Sequence, residues 1–120
     1  LPPIWGDASA IQQVVMNLLT NARDAAPAGG EISIETAETA EPAGGVRLIV
    51  RDTGPGIPPE LLPRIFDPFF TTKANGTGLG LSISYGIVRE HQGTVDVHSQ
   101  PGEGTTFVLT FQGIRLKERA

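Results

Sequence analysis

Val46-Arg47-Leu48-Ile49-Val50-Arg51-Asp52-Thr53-Gly54-Pro55-Gly56 decides how this chain folds. Alternate residues of a strand share one face, so Val46, Leu48, Val50 and Asp52 point the same way. Three apolar side chains turn that face toward a core, and the fourth is a carboxylate. A carboxylate buried without a partner is costly, so Asp52 needs donors. Two readings stay open. Asp52 caps the turn that follows it, or it accepts from a ligand donor such as the exocyclic amine of adenine. Gly54 and Gly56 let the backbone approach a flat ring closely.

The flanking sequence supplies the rest of a two-layer fold. Upstream, Ile11, Val14, Val15, Leu18, Ala22 and Ala25 recur at i, i+3, i+4 spacing and predict a helix over 8–26. Asp7 is its natural N-cap, and Pro27 with Gly29-Gly30 ends it. Residues 31–39 read as a strand that forms a hairpin with 46–52. Residues 53–77, rich in Gly, Pro and Thr, read as a long functional loop with one short helix near 59–66. A second helix runs from about 78 to 91, with Gly93 as its C′ residue. Strands at 94–99 and 104–111 follow, joined by the turn Gln100-Pro-Gly-Glu-Gly104, and 113–120 is a charged tail. This order predicts an α/β sandwich of the α+β kind, with helices covering one face of a mixed, mostly antiparallel sheet. Residues 1–112 form the one domain.

Bulk properties agree. A chain of 120 residues suits one domain, and its net charge of -4 disfavours nucleic-acid binding through a basic face. A small anion still binds through local amides and a few cations. There is no cysteine, which excludes disulfides and thiolate chemistry and suits a reducing cytosol. No apolar run reaches membrane-spanning length, so direct membrane contact is not expected. The chain does not begin with Met and reads as an excised domain.

Several residues outside the Asp52 turn have chemical meaning. Gln13, Asn17, Asn21 and Asp24 form one polar stripe on the first helix. The stripe is a solvated face, or its amide oxygens serve Mg²⁺, a hard cation that takes few protein ligands beside substrate phosphates. Gly76-Thr77-Gly78-Leu79-Gly80 opens the second helix, where free amides bind anions. The alternative is a glycine hinge. No strand precedes it, so it is not a Rossmann turn, and no GxxxxGK[ST] occurs. Lys73 adds a nearby cation. Thr105 shares parity with Phe107, Leu109 and Phe111, so its hydroxyl faces inward, toward backbone or ligand. Phe66, Phe69 and Phe70 cluster before the glycines, as core or as anchors of a lid that meets a partner. His91 ends a helix, where a cation is welcome, and His98 alternates outward; neither has metal-ligand spacing.

Together these motifs resemble the catalytic and ATP-binding domain of sensor histidine kinases, within the gyrase, Hsp90, histidine kinase and MutL group. Asn17-Leu-Leu-Thr-Asn-Ala22 is similar to the N box, and Asp52-Thr-Gly-Pro-Gly56 to the G1 box. Phe66-Asp-Pro-Phe-Phe-Thr-Thr-Lys73 resembles the F box, Gly76-Thr-Gly-Leu-Gly-Leu81 the G2 box, and Gly102-Glu-Gly-Thr-Thr-Phe107 the last glycine motif. The resemblance implies a Bergerat fold of about five strands and about three helices. It implies a protein-histidine kinase domain with ATP and Mg²⁺ as cofactors, Asn21 on the metal and Asp52 on the adenine amine. Asn17, Gly54, Gly56, Ile57, Lys73, Gly76, Thr77, Gly78, Leu79, Gly80 and Thr105 complete the implied nucleotide site. Phe66, Phe69 and Phe70 belong to the implied lid.

The implied partners are a phospho-acceptor histidine domain and, downstream, a response regulator receiver domain, in the cytoplasm. No His here is followed by the usual acidic residue and Pro of an acceptor, so no acceptor or base lies in this chain. Hydrolysing members of the group carry a Glu where Asn17 stands, which points to phosphotransfer. An ATPase with conformational output and a non-catalytic scaffold are the rival readings. One departure is clear: many histidine kinases have a basic residue and a Tyr where this chain has Asp24 and Ala25. Whether Arg23 or Asp24 contacts phosphate stays open.

Overall fold

Asp7 begins the first helix by capping it. Its Oδ1 accepts the N–H groups of Ser9 and Ala10 at 2.9 and 3.3 Å, two donors with no partner inside the helix. This geometry comes from a computed structural model, which describes residues 7–25, 30–39, 45–67 and 80–111. Helix α1 spans Ala8–Ala25. Strands β1 (Ile32–Glu38) and β2 (Val46–Asp52) follow, then a 3₁₀ turn at Leu62–Arg64. Helix α2 (Gly80–Glu90), β3 (Thr94–Gln100) and β4 (Gly104–Phe111) complete the order.

The described strands form one four-stranded sheet in the order β1-β2-β4-β3. Every pairing among these four is antiparallel, the dominant pairing expected of a mixed, mostly antiparallel sheet. The reason lies in the connections. Two hairpins pair β1 with β2 and β3 with β4, and β2 ends where β4 begins, with Asp52 opposite Thr105. A fifth strand and a third α-helix are not found among the described residues. The short helix expected near 59–66 is reduced to the 3₁₀ turn Leu62–Arg64. Pro63, in the middle of that span, lacks the N–H group that a longer α-helix needs there.

Both helices cover one face. Val14, Leu18 and Ala22 of α1 and Val88 of α2 pack on Leu48 and Val50 of β2 and on Phe107, Leu109 and Phe111 of β4. Phe107 is 2% exposed, and burying such a ring contributes on the order of 2–3 kcal/mol. β1 lies at the sheet edge, where Ile32 and Ile34 remain exposed. The helices run antiparallel, since the start of α1 meets the end of α2. The Asp7 N–H donates to His91 Nε2 at 3.0 Å, and His91 Nδ1 lies 2.7 Å from the Ile87 carbonyl. Through these two contacts His91 ties the end of α2 to the start of α1.

The end of α2 also shifts by one residue from expectation. Gln92, at φ 60°, takes the left-handed C′ position assigned above to Gly93. Gly93 donates to Val88 O at 2.9 Å and Gln92 to Arg89 O at 3.0 Å, the pair of bonds of a Schellman cap. Gly93 is glycine for a different reason. A Cβ there would lie 2.7 Å from the Thr110 carbonyl oxygen and 2.9 Å from Val88 Cγ1. Gly86, by contrast, has open space around the same position. Gly93→Ala is expected to destabilise the domain by about 1–3 kcal/mol through overpacking. Gly86→Ala is expected to stabilise it by about 0.4–1 kcal/mol. Urea unfolding of the two variants checks both signs.

Candidate functional site

Strand β2 carries Asp52 into the interior, where it is 3% exposed. Its Oδ1 accepts the Gly54 N–H at 2.8 Å, so the turn-cap reading of Asp52 holds. That bond uses one of about four lone-pair positions on the carboxylate. Capping therefore does not compete with a ligand amine, and the two readings of Asp52 are compatible. The turn itself is tied to the start of β1, because Thr53 N–H donates to Glu31 O at 3.1 Å and Glu31 N–H to Thr53 Oγ1 at 2.9 Å.

Sheet register lines up three polar side chains. Thr105 of β4 lies opposite Asp52 of β2, and Ser99 of β3 lies opposite Thr105. Thr105 is 5% exposed, as its parity requires. Ser99 Oγ accepts the Ile57 N–H at 2.7 Å and lies 3.1 Å from Gly104 O and 3.0 Å from Thr105 Oγ1. The Gly102 N–H donates to Pro55 O at 2.7 Å, a second tie between the Asp52 turn and the β3–β4 turn. These backbones meet so closely that a Cβ on Gly104 would fall on the Asp52 carbonyl oxygen, and one on Gly56 on that of Gln100. Both glycines also have positive φ, 96° and 79°.

The structure thus gathers Asp52, Gly54, Gly56, Ile57 and Thr105 at one end of the sheet. A second group forms between the helices. Asn17 and Asn21 are half-buried on α1, and Asn17 Nδ2 donates to Gly80 O at 3.3 Å and Ser84 Oγ at 3.1 Å. Phe66 is half-buried, with its ring centroid 5.0 Å from that of Tyr85 and 6.5 Å from that of Phe107. Lys73, Gly76, Thr77, Gly78, Leu79, Phe69 and Phe70 lie outside the described residues. Arg23 Nε is 3.9 Å from Asp24 Oδ1 on the outer surface of α1.

No group of three His, Cys, Asp or Glu side chains that could hold a metal occurs among the described residues. A hard cation here would therefore rest on an amide oxygen such as that of Asn21 and on its ligand's own oxygens. A 470 Å³ cavity opens beside β3, lined in part by Arg51, Leu62, His98 and Glu103. Neither Asp52 nor the two Asn residues line it. No described helix is long and apolar enough to cross a membrane.

Ser99 is absent from the residues singled out by sequence, although its parity with Val95 and Val97 already turned it inward. Ser99→Ala leaves the Ile57 N–H without its acceptor. It is expected to lower stability by about 1–3 kcal/mol, read from thermal or urea unfolding.

Residues 6–114 match the family model described as histidine kinase-, DNA gyrase B-, and HSP90-like ATPase. Sensor histidine kinase ZraS of Escherichia coli is 46% identical over 109 residues, which cover 91% of this chain and 23% of ZraS. The chain is thus a small part of the length of such relatives. Among solved structures, the mycobacterial sensor histidine kinase MprB superposes with a TM-score of 0.81 at 30% identity, covering 92% of this chain and 78% of that one. Full-length ShkA, solved in complex with AMPPNP, gives a TM-score of 0.80 at 32% identity, over 92% of this chain and 23% of that one. A buried Asp at a glycine turn, paired Asn residues on the facing helix and matches that span the chain lead to one conclusion. The chain belongs to the histidine kinase-, DNA gyrase B-, and HSP90-like ATPase family, and its fold is that of a histidine kinase catalytic domain.

Proposed function

We propose that this domain binds ATP with Mg²⁺ and donates the γ-phosphoryl group to a histidine on a separate phospho-acceptor domain of a two-component sensor kinase. The observation that carries the reading is the Asp52 carboxylate, 3% exposed at the end of an apolar strand. Its remaining lone pairs suit an exocyclic amine, and Gly54 and Gly56 admit a flat base beside it. Ile57 and Thr105 border the same turn. The AMPPNP complex of ShkA supports a nucleotide as the ligand of this fold.

At the other end, Asn21 would hold the metal with the Asn17 amide oxygen on the same helix stripe, and Lys73 and the amides of Gly76, Thr77, Gly78, Leu79 and Gly80 would hold phosphate oxygens. Mg²⁺ supplies neutralisation of the phosphate charge, which is most of what phosphoryl transfer asks of its surroundings. Asn17 favours transfer over hydrolysis. An amide takes no proton from water, and this one already spends its nitrogen as a donor to Gly80 and Ser84. Phe66, Phe69 and Phe70 would seat a lid and meet the partner domain. A receiver domain would take the phosphoryl group onward, in the cytoplasm.

Neither histidine fits the acceptor role. Both ring nitrogens of His91 are engaged with backbone, and His98 lies on the outer face of β3. Incubated with γ-labelled ATP, the isolated domain should remain unlabelled and should label an added phospho-acceptor domain. Label on His91 or His98 at a useful rate would overturn the proposal. Asp52→Asn replaces one acceptor by a mixed group and should weaken ATP binding by about 1–3 kcal/mol, measured by calorimetry. Unchanged affinity would leave Asp52 as a turn cap alone.

A further inference from the structure

Ser84 is 4% exposed on α2, with a hydroxyl buried in a helix where alanine would be the better helix former. Its partners explain it. Ser84 Oγ donates to Gly80 O at 2.9 Å, which commits its single proton. It then accepts from Asn17 Nδ2 at 3.1 Å, and the second Asn17 proton goes to the same Gly80 carbonyl at 3.3 Å. Asn17, Gly80 and Ser84 close a triangle between two helices. The triangle also orients the Asn17 amide. Turned over, Asn17 Oδ1 would face the Gly80 oxygen, acceptor against acceptor, and Ser84 would lose its donor. Asn17 Oδ1 is therefore held away from the Gly80 carbonyl.

Gly80 is the first residue of α2, and Asn21 lies one turn beyond Asn17 on α1. Holding Gly80 and Asn17 together thus sets where α2 starts relative to the Asn stripe. We infer that Ser84 is a positioning residue for the polyphosphate end of the nucleotide site: it acts through Asn17 and Gly80 and has no part in holding the base. The inference rests on the nucleotide reading above. Asp52 and its turn form no hydrogen bond with Ser84, so the two ends can be tested apart.

The experiment measures binding of ATP and of adenosine, each with Mg²⁺, to this chain and to Ser84→Ala, by competition against a fluorescent adenine nucleotide. Alanine raises helix propensity, and a melting curve checks that the variant is folded. ATP affinity should fall roughly five- to tenfold, the effect of one lost hydrogen bond, while adenosine affinity stays within about twofold. Unchanged ATP affinity would overturn the inference. So would an equal loss for ATP and adenosine, which is what a general structural role produces. If the unaltered chain binds neither ligand, the nucleotide reading fails and takes this inference with it. If it binds both and Ser84→Ala moves neither, the reading stands and only the inference falls.

Discussion

Burying the Asp52 carboxylate at the end of an apolar strand constrains everything around it. Water is excluded there, so the protein must supply donors, and it does so mainly with backbone. The chain turns back at once, and the Gly54 N–H closes on Oδ1. The turn is then fastened on two sides, to the start of β1 through Thr53 and Glu31, and to the β3–β4 turn through Ile57, Ser99, Pro55 and Gly102. Backbones packed this closely leave no room for a Cβ at positions 56 and 104. The glycines of two motifs, about fifty residues apart in sequence, are thus one requirement seen from two strands.

The helical layer divides its labour differently. Val14, Leu18 and Val88 supply apolar contact, which is strong but indifferent to small sliding of one helix along another. Polar ties remove that freedom. At one end the Asp7 N–H meets His91, and further along Asn17 meets Gly80 and Ser84. The second tie lies beside the Asn residues proposed to handle metal and phosphate. Register of the helices and geometry of the site are set by the same few hydrogen bonds. Such bonds add little net stability, about 1 kcal/mol each, yet they are directional where apolar packing is not.

Much of this was legible along the chain. Period-two alternation placed β2 at Val46–Asp52 and β4 at Gly104–Phe111 and turned Asp52 and Thr105 inward. The helical period found the buried face of α1, and Asp7 was readable as its cap. What failed was of two kinds. Pro63 shortened the expected helix near 59–66 to one 3₁₀ turn, a local rule given too little weight. The cap of α2 was misplaced because Gly93 is glycine for β4's sake, and Gln92 bears the left-handed conformation.

Sequence alone therefore determined the elements, their buried faces and the family, because periodicity, caps and ordered motifs are properties of neighbours along a chain. Tertiary structure alone decided the partners. That Ser99 serves both Ile57 and Thr105, that Asn17 gives its amide protons to Gly80 and Ser84, and that the Asp7 N–H meets His91 Nε2 are facts about residues brought together from afar. The separations run from 6 residues for Ser99 and Thr105 to 84 for Asp7 and His91. A hydrogen bond needs a donor and an acceptor within about 3 Å at a fixed angle. No pattern along one strand or helix specifies that distance. It appears only when the sheet closes its register and the helices settle upon it.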